Sequence, residues 1–235
     1  MASMVNEEGR RLLQVIFDQG AQSASRALSQ WLGQLVRLVV SDVELVPLEQ
    51  AAELLGPPES MVAACAMGLS GLLSGTILLV FEDRSGLALV DLLMQQPLGA
   101  ASEWGEIEQS AAKETTNIIG CSYVGSLVAH LPSPRSAGVE GARATESQLI
   151  PTPPHFFHEF AGSLIEFALM DQLAELEHVL LIRTRFTRED AHPGLAQGDE
   201  LDLNWTLLFV PSREALDVLS AMFGQVESNP ARFQV

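Results

Sequence analysis

Residues Glu106–Leu131 read EIEQSAAKETTNIIGCSYVGSLVAHL, and the other elements of the chain are organised around them. The stretch contains no proline, is rich in Ala, Ile, Leu and Val, and is closed by Pro132 and Pro134. A proline disfavours helical geometry in the residue before it, so this pattern predicts one long helix that ends at Leu131. Because the second half of this helix is apolar on nearly every side, we expect it to face a core.

The first half of this predicted helix carries a short row of polar side chains. Residues four and then three positions apart lie on the same face of a helix. Ser110, Glu114 and Asn117 have this spacing, and we call them the polar ridge. Such a ridge is typical of a helix cap, of a solvated helix face or of a functional site. Asparagine is a poor helix former, which slightly favours the functional interpretation.

The size and composition of the chain predict a folded protein. With 235 residues it is long enough for one large domain or two small ones, and a hydrophobic content of 47% excludes general disorder. No apolar run reaches the roughly 18 residues that span a bilayer. The first residues, MASMVNEEGRR, do not have the pattern of a signal peptide, and Cys65 and Cys121 form no metal or disulfide motif. We therefore expect a cytoplasmic protein.

The charge of the chain argues against two classes of partner. Thirty acidic residues against thirteen Lys and Arg give a formal net charge of −17, and Lys113 is the only lysine. Binding to nucleic acid or to an anionic membrane surface needs clustered basic residues, so we expect neither. An acidic surface favours, weakly, a protein partner with a basic face.

The hydrophobic periodicity predicts the same order of elements twice, namely helix, strand, helix, strand, strand, helix. In the first half these are Glu8–Leu38 (a helix running into a strand), Val39–Val46, the short helix Pro47–Gly56, the strands Met61–Ser70 and Thr76–Glu82, and the helix Asp83–Met94. In the second half they are the helix Glu106–Leu131, a strand near Gln148–Pro151, a helix from about His155 to Ala174, the strands Val179–Arg188 and Leu201–Val210, and a helix opening at Ser212.

This repetition predicts an α+β fold in which an internal duplication with pseudo-two-fold symmetry forms one antiparallel sheet flanked by helices. The halves span about 9–97 and 104–225, and two polar inserts, 135–147 and 189–200, lengthen the second half. A half alone has too little core to fold easily, so we expect residues 1–235 to form a single domain.

The motif Ser110-x-x-x-Glu114-x-x-Asn117-Ile118, followed by Tyr123, resembles the signature helix of the CheC-type chemotaxis phosphatases (CheC, CheX and FliY). Two further stretches, VELVPLEQAAELLG and HEFAGSLIEFALMDQLAELEHVLLIRTRF, resemble the segments that follow the first and second signature helices of CheC. The resemblance covers roughly Leu12–Gly224. The short motif alone would be weak evidence, but the duplicated layout around it makes it more specific.

The resemblance implies hydrolysis of the aspartyl phosphate on a response-regulator receiver domain of the CheY type. Asn117 would position the attacking water, because a carboxamide both donates and accepts hydrogen bonds. Glu114 would dock to a cation of the receiver, and Ser110 would support binding at the rim. The protein would need no cofactor of its own, since Mg²⁺ belongs to the receiver. The sequence leaves open whether an adaptor or a second copy of the chain takes part.

The first predicted helix departs from the family motif. Aligning it with the family's first signature helix puts Asp18 where asparagine belongs, Val15 where glutamate belongs and Arg11 where serine or aspartate belongs. An ionised aspartate cannot donate a hydrogen bond and valine cannot pair with a cation, so we expect this half to be inactive as a site. The family also carries a proline downstream of the asparagine, and the sequence does not assign it among the prolines of the second half.

Other motifs have simpler interpretations. His155 and His158 could bind a metal if they lay on one face of a helix, but with no further ligand at a recognisable interval a surface pair or local cap is favoured. Cys121, one turn after Asn117, is either a redox switch or, as we favour, a small buried residue. For the whole protein, the alternative to a phosphatase is a non-catalytic receiver-binding or flagellar-switch-like scaffold of the same fold.

Overall fold

The computed structural model describes residues 7–33, 35–131, 149–169, 178–188 and 203–228. No helix in these ranges combines the length and apolar character needed to cross a membrane. The helices are α1 (Glu7–Leu32), α2 (Leu48–Glu53), α3 (Asp83–Leu93), α4 (Glu106–His130), α5 (Ala161–Leu169) and α6 (Arg213–Ser228). The strands are β1 (Val36–Pro47), β2 (Met61–Ser70), β3 (Gly75–Glu82), β4 (Ile150–Pro151), β5 (His155–Phe160), β6 (His178–Arg188) and β7 (Leu203–Pro211).

Helix α4 confirms the long helix predicted around the polar ridge. Its first turn carries Glu106 and Glu108 and its last turn carries His130, a distribution that complements the helix dipole. Thr115 and Thr116 are buried, and each hydroxyl donates to the carbonyl oxygen four residues earlier at 2.9 Å. These internal hydrogen bonds let two polar residues enter the core without unsatisfied groups.

The strands form one seven-stranded antiparallel sheet, which confirms the predicted α+β class. The strand order is β1-β6-β7-β3-β2, and β4 and β5 both pair with β2 at the far edge. Strand β4 pairs with the end of β2 at Leu69–Ser70, and β5 pairs with Met61–Ala66. The short interruption between β4 and β5 therefore lies at the edge of the sheet, where ladder hydrogen bonds are not required on both sides.

Each face of the sheet is covered by its own group of helices. One core joins the sheet to α1, α3, α4 and α6, and it contains the largest buried side chains, including Tyr123 and Phe17. The second core joins the opposite face to α2 and α5. Alternating side chains of β2, β3, β6 and β7 enter the two cores, as expected for a sheet with helices on both faces.

The predicted start of the fifth helix is wrong. His155–Phe160 is strand β5, and the helix begins only at Ala161. Residues HFFHEF are rich in aromatic side chains and lie beside the free edge of β2, so tertiary pairing overrides the local helical pattern. Residues three apart on a strand face opposite sides, so His155 and His158 do not form the shared helix face that a metal pair would need.

His158 instead makes a contact within the fold. Its Nε2 atom lies 2.9 Å from Oδ1 of Asp83, and Nε1 of Trp104 donates to the same oxygen at 2.7 Å. Among the described residues, no group of three or more His, Cys, Asp or Glu side chains could hold a metal ion. The cluster therefore ties β5 to the start of α3 and to the loop before α4.

The order of elements matches the predicted repetition, but the duplication itself stays a prediction. Strand β1 lies beside β6 and β5 lies beside β2, while β3 and β7 meet at the centre. Strands of both halves thus join one sheet. The proposed boundaries of the halves also stay a prediction, and the inserts 135–147 and 189–200 lie outside the described residues.

The loop between α3 and α4 is held by one buried carboxylate. Asp91 is only 2% exposed. It accepts hydrogen bonds from the backbone N–H groups of Gly99, Ala100 and Ala101 at 2.7, 3.1 and 2.8 Å. Charge-assisted bonds of this kind are stronger than neutral ones, so Asp91 fixes the approach of the chain to α4.

We expect Asp91→Ala to lower the free energy of unfolding by about 2 kcal/mol, because three amides lose a charged acceptor and only regain water. Asp91→Asn keeps the shape and one acceptor oxygen, so about half of that loss is expected. Urea unfolding followed by circular dichroism measures both values. Asp217→Ala, at an exposed position, is the control. If it lowers the free energy of unfolding as much as Asp91→Ala does, the role assigned to Asp91 is contradicted.

Candidate functional site

Helix α4 presents the polar ridge at the surface. Ser110 and Glu114 are exposed and Asn117 is half-buried, so the ridge runs from solvent toward the core along one helix face. The hydroxyl of Ser110 donates to the carbonyl oxygen of Glu106 at 2.7 Å. Glu114 and Asn117 lie one turn apart on a helix whose buried face packs into the core, which suits the positioning of a small ligand.

The ridge forms one wall of an open groove of about 470 Å³. The facing wall is the segment Pro151–Pro154, which runs from the last residue of β4 to the start of β5. Thr152 fixes this segment to β2, because its Oγ1 accepts from the N–H of Gly68 at 2.9 Å and its N–H donates to the carbonyl oxygen of Gly68 at 2.8 Å. Three prolines with restricted backbone angles make this wall stiff. The sequence could not assign one of them to the site, and all three line the groove.

Sequence reasoning missed two residues of this groove, Thr152 of the facing wall and Lys113 of α4. The side chain of Lys113 is half-buried. Lys113 lies three residues after Ser110 and four residues before Asn117. The same helical spacing that defined the ridge therefore places it beside the ridge. The available signal was composition, since Lys113 is the only lysine of an acidic chain.

The carboxamide oxygen of Asn117 contacts a neighbouring side chain on the same helix. The Sγ atom of Cys121 lies 3.6 Å from Oδ1 of Asn117 and donates to it. The amide nitrogen of Asn117 has no hydrogen-bond partner among the described residues, although the residue lines the groove. A free donor at the groove surface is what a water-positioning residue needs.

Cys121 does not have the environment of a reactive thiol. Burial raises its pKa above the ordinary value, and the negative charge of Glu114 raises that pKa further. A redox-sensing cysteine needs a lowered pKa and good access, so this environment favours the small buried residue over the redox switch. Cys65, below α4 on β2, is buried as well, and burial raises its pKa to about 11.

The corresponding positions of α1 engage other parts of the chain. Oδ1 of Asp18 accepts from Nε2 of Gln14 at 3.2 Å, and the same nitrogen lies 3.3 Å from the carbonyl oxygen of Val40 on β1. Val15 is 40% exposed, and Arg11 lies 4.0 Å from Glu7 one turn before it. These contacts do not reproduce the Glu114 and Asn117 pair of α4. That α1 is inactive as a site stays a prediction.

The environment of Asp18 predicts a dependence of stability on pH. Burial raises the pKa of this carboxyl, and the hydrogen bond from Gln14 lowers it by less. A carboxyl with a raised pKa in the folded state contributes stability below its unfolded pKa, and this contribution is lost as the pH rises through the folded value. We therefore expect Asp18→Asn to be more stable than wild type at pH 7, and to lose this advantage below about pH 4.

Thermal unfolding of the two proteins at pH 7 and pH 3.5 measures this difference. Asp217→Asn, at an exposed position of α6, controls for the removal of one negative charge from an acidic protein. Equal stabilisation by both substitutions at pH 7 would show that general charge relief, and not the burial of Asp18, is responsible.

No protein-family model matches the sequence. The structure is similar to FliY from Thermotoga maritima, with a TM-score of 0.67 and 17% identity over 95% of this chain and 99% of the other. It is also similar to the FliM middle domain from H. pylori, with a TM-score of 0.60 and 10% identity over 93% and 99%.

A chain of the FliG–FliM complex from H. pylori matches with a TM-score of 0.59 and 14% identity, over 91% of this chain and 100% of that one. At such identities a likeness shows the fold and not the activity. The fold implied by the resemblance to CheC-type proteins is thereby confirmed: this chain has the fold that FliY and the middle domain of FliM share.

Proposed function

We propose that the protein is a phosphatase that hydrolyses the aspartyl phosphate of a CheY-type receiver domain. The observation that carries this proposal is the pairing of Glu114 and Asn117 on one open groove of a FliY-like fold. The groove is shallow enough for a protein surface to approach, and it offers a donor and a carboxylate one helical turn apart. A chemotaxis or two-component signalling role in the cytoplasm belongs to the same proposal.

Asn117 is the residue we assign to the attacking water. An acyl phosphate has a good leaving group, so catalysis requires chiefly that a water be held in line with the bond that breaks. The amide nitrogen of Asn117 can donate to that water. The oxygen that contacts Cys121 has a second lone pair with which it can accept. A carboxamide performs this role without any change in protonation.

Glu114 is the residue we assign to docking. It is exposed one turn before Asn117, so its carboxylate can reach a cation of the receiver, such as the lysine beside its phosphoryl group. Ser110, one further turn toward the helix start, supports the contact at the rim. The Mg²⁺ that neutralises phosphoryl oxygens arrives with the receiver as part of the substrate, so the phosphatase needs no cofactor of its own.

The second candidate is a non-catalytic scaffold of the same fold. The likeness to the FliM middle domain favours it, and the solved FliG–FliM complex shows that FliM binds another protein. A scaffold of this kind would bind a receiver domain or a switch component through the same exposed helix face. It would have no chemical need for the Glu114 and Asn117 pair.

The test is phosphate release from a panel of phosphorylated receiver domains with and without the protein. Acceleration by wild type that is lost in Asn117→Ala establishes the phosphatase. Binding of a phosphorylated receiver without faster phosphate loss would establish the scaffold instead. The autodephosphorylation rate of each receiver alone supplies the baseline.

A further inference from the structure

We propose that Lys113 binds the phosphoryl group of the docked receiver and thereby makes this groove prefer the phosphorylated receiver over the unphosphorylated one. The inference rests on the proposed function and adds a residue that the Ser110, Glu114 and Asn117 motif does not contain. It makes Lys113 a substrate-binding and specificity-determining residue, beside the water-positioning Asn117.

The position of Lys113 is the first argument. Its side chain lines the groove together with the ridge and the Pro151–Pro154 wall, one helical turn from Asn117. A phosphoryl group whose attacking water is held by Asn117 must lie within a few ångströms of that carboxamide. The ammonium group of a lysine one turn away, on a flexible four-carbon stem, can reach its oxygens.

The surroundings of Lys113 are the second argument. Lys113 is half-buried, yet no ion pair or hydrogen bond joins it to another residue in the part of the chain that the structure describes. A lysine commonly buries its apolar stem while its ammonium group stays in water, so the charge of Lys113 is available to a ligand that enters the groove. Its charge also lowers the pKa of the buried Cys65 thiol, although burial has the larger and opposite effect.

The charge balance is the third argument. The chain carries a formal net charge of −17, and Glu114 adds a carboxylate to the groove itself. An aspartyl phosphate brings further negative charge, so a groove without a cation would repel the phosphorylated receiver more than the unphosphorylated one. A single lysine at this position reverses that preference, while Glu114 remains available to a cation of the receiver.

The experiment compares two affinities for each variant. The affinity of each variant is measured for a receiver that wild type dephosphorylates, once with and once without fluoroberyllate. Fluoroberyllate mimics the phosphorylated state of the receiver. We expect the ratio of the two affinities to fall about tenfold in Lys113→Met and to be largely kept in Lys113→Arg, which retains the charge. Asn117→Ala should keep the ratio of the two affinities even though it loses turnover, because it leaves the ammonium group of Lys113 in place.

A second measurement uses the fact that the chain has one lysine. Protein grown with ¹³C- and ¹⁵N-labelled lysine gives a single lysine side-chain signal in NMR spectra. We expect the Nζ signal of Lys113 to shift on adding the fluoroberyllate-activated receiver and to shift far less with the unactivated receiver. This readout needs no substitution, so it holds even if Lys113→Met folds poorly.

The outcomes separate the two proposals. If wild type releases phosphate and Lys113→Met keeps the full affinity ratio, or if the Nζ signal responds equally to both receiver states, the role of Lys113 is overturned and the phosphatase stands. If wild type neither binds nor dephosphorylates any receiver, the proposed function fails and the role of Lys113 fails with it.

Discussion

Asn117→Ala is expected to reduce the rate of phosphate release from a phosphorylated receiver by about a hundredfold or more, to near the rate of the receiver alone. Removing one preorganised hydrogen-bond donor from a reacting centre commonly costs this much. Methyl replaces a group that both donates and accepts, so the attacking water loses its orientation while the helix keeps its packing. Because Asn117 is only half-buried, we expect little loss of stability.

A series at this position sharpens the test. Asn117→Asp keeps the shape of the side chain but replaces its donor with a charge, so it should be nearly as inactive as Asn117→Ala. Asp18→Ala is the matched control, because Asp18 holds the aligned position on α1. It should retain full phosphatase activity. Single-turnover phosphate release at saturating enzyme separates loss of chemistry from loss of binding.

Two results would contradict these assignments. Full activity in Asn117→Ala would remove Asn117 from the reaction, and with it the chemical basis of the proposal. A large loss in Asp18→Ala would show that α1 also carries a working site, against the contacts that Gln14 makes there.

Gly20→Val is expected to lower the free energy of unfolding by about 3 kcal/mol, the upper part of the range for overpacked cores. Helices α1 and α4 approach closely at this position. A Cβ atom on Gly20 would lie 2.8 Å from Cδ1 of Tyr123 and 2.9 Å from its Cα. The second contact is with backbone, so it cannot be relieved by a side-chain rotation and requires the two helices to separate.

Tyr123 has little freedom to accommodate such a change. It is fully buried, its ring packs edge-on against Phe17 with centroids 5.8 Å apart, and its hydroxyl hydrogen-bonds to Oγ1 of Thr184 at 2.8 Å. Burial raises the pKa of its phenol well above the ordinary range. Moving the ring would break the hydrogen bond and leave two buried polar groups unpaired, which adds to the cost of the substitution.

Gly125→Val on α4 is the matched control. A Cβ atom at Gly125 would meet no atom within 4 Å, and the residue is exposed. Valine and glycine differ little in helix propensity, so this change should alter stability by no more than about 0.5 kcal/mol. Chemical denaturation of the three proteins gives the comparison. Equal losses at the two glycines would mean that valine in a helix, and not the close approach of α1 and α4, sets the cost.

The sequence by itself determined the elements whose pattern is local. The apolar periodicity and the closing prolines predicted α4 to within one residue, and short apolar runs predicted β2, β3, β6 and β7 with small errors at their ends. The polar ridge followed from the same helical spacing. These predictions succeed because a helix or a strand repeats its pattern of buried positions every few residues. The hydrophobic pattern of such an element is therefore visible within a short stretch of sequence.

Only the tertiary structure decided what faces the ridge. The groove exists because Thr152 bonds to Gly68, two residues separated by 84 positions, and no local pattern records that contact. The same long-range pairing made HFFHEF a strand along the edge of β2 and separated its two histidines. Helical spacing alone places Lys113 one turn before Asn117, but only the wall at Thr152 makes both of them part of one groove. A residue's spacing places it on a helix face, but the opposing surface that turns the face into a site comes from chain segments far away in sequence.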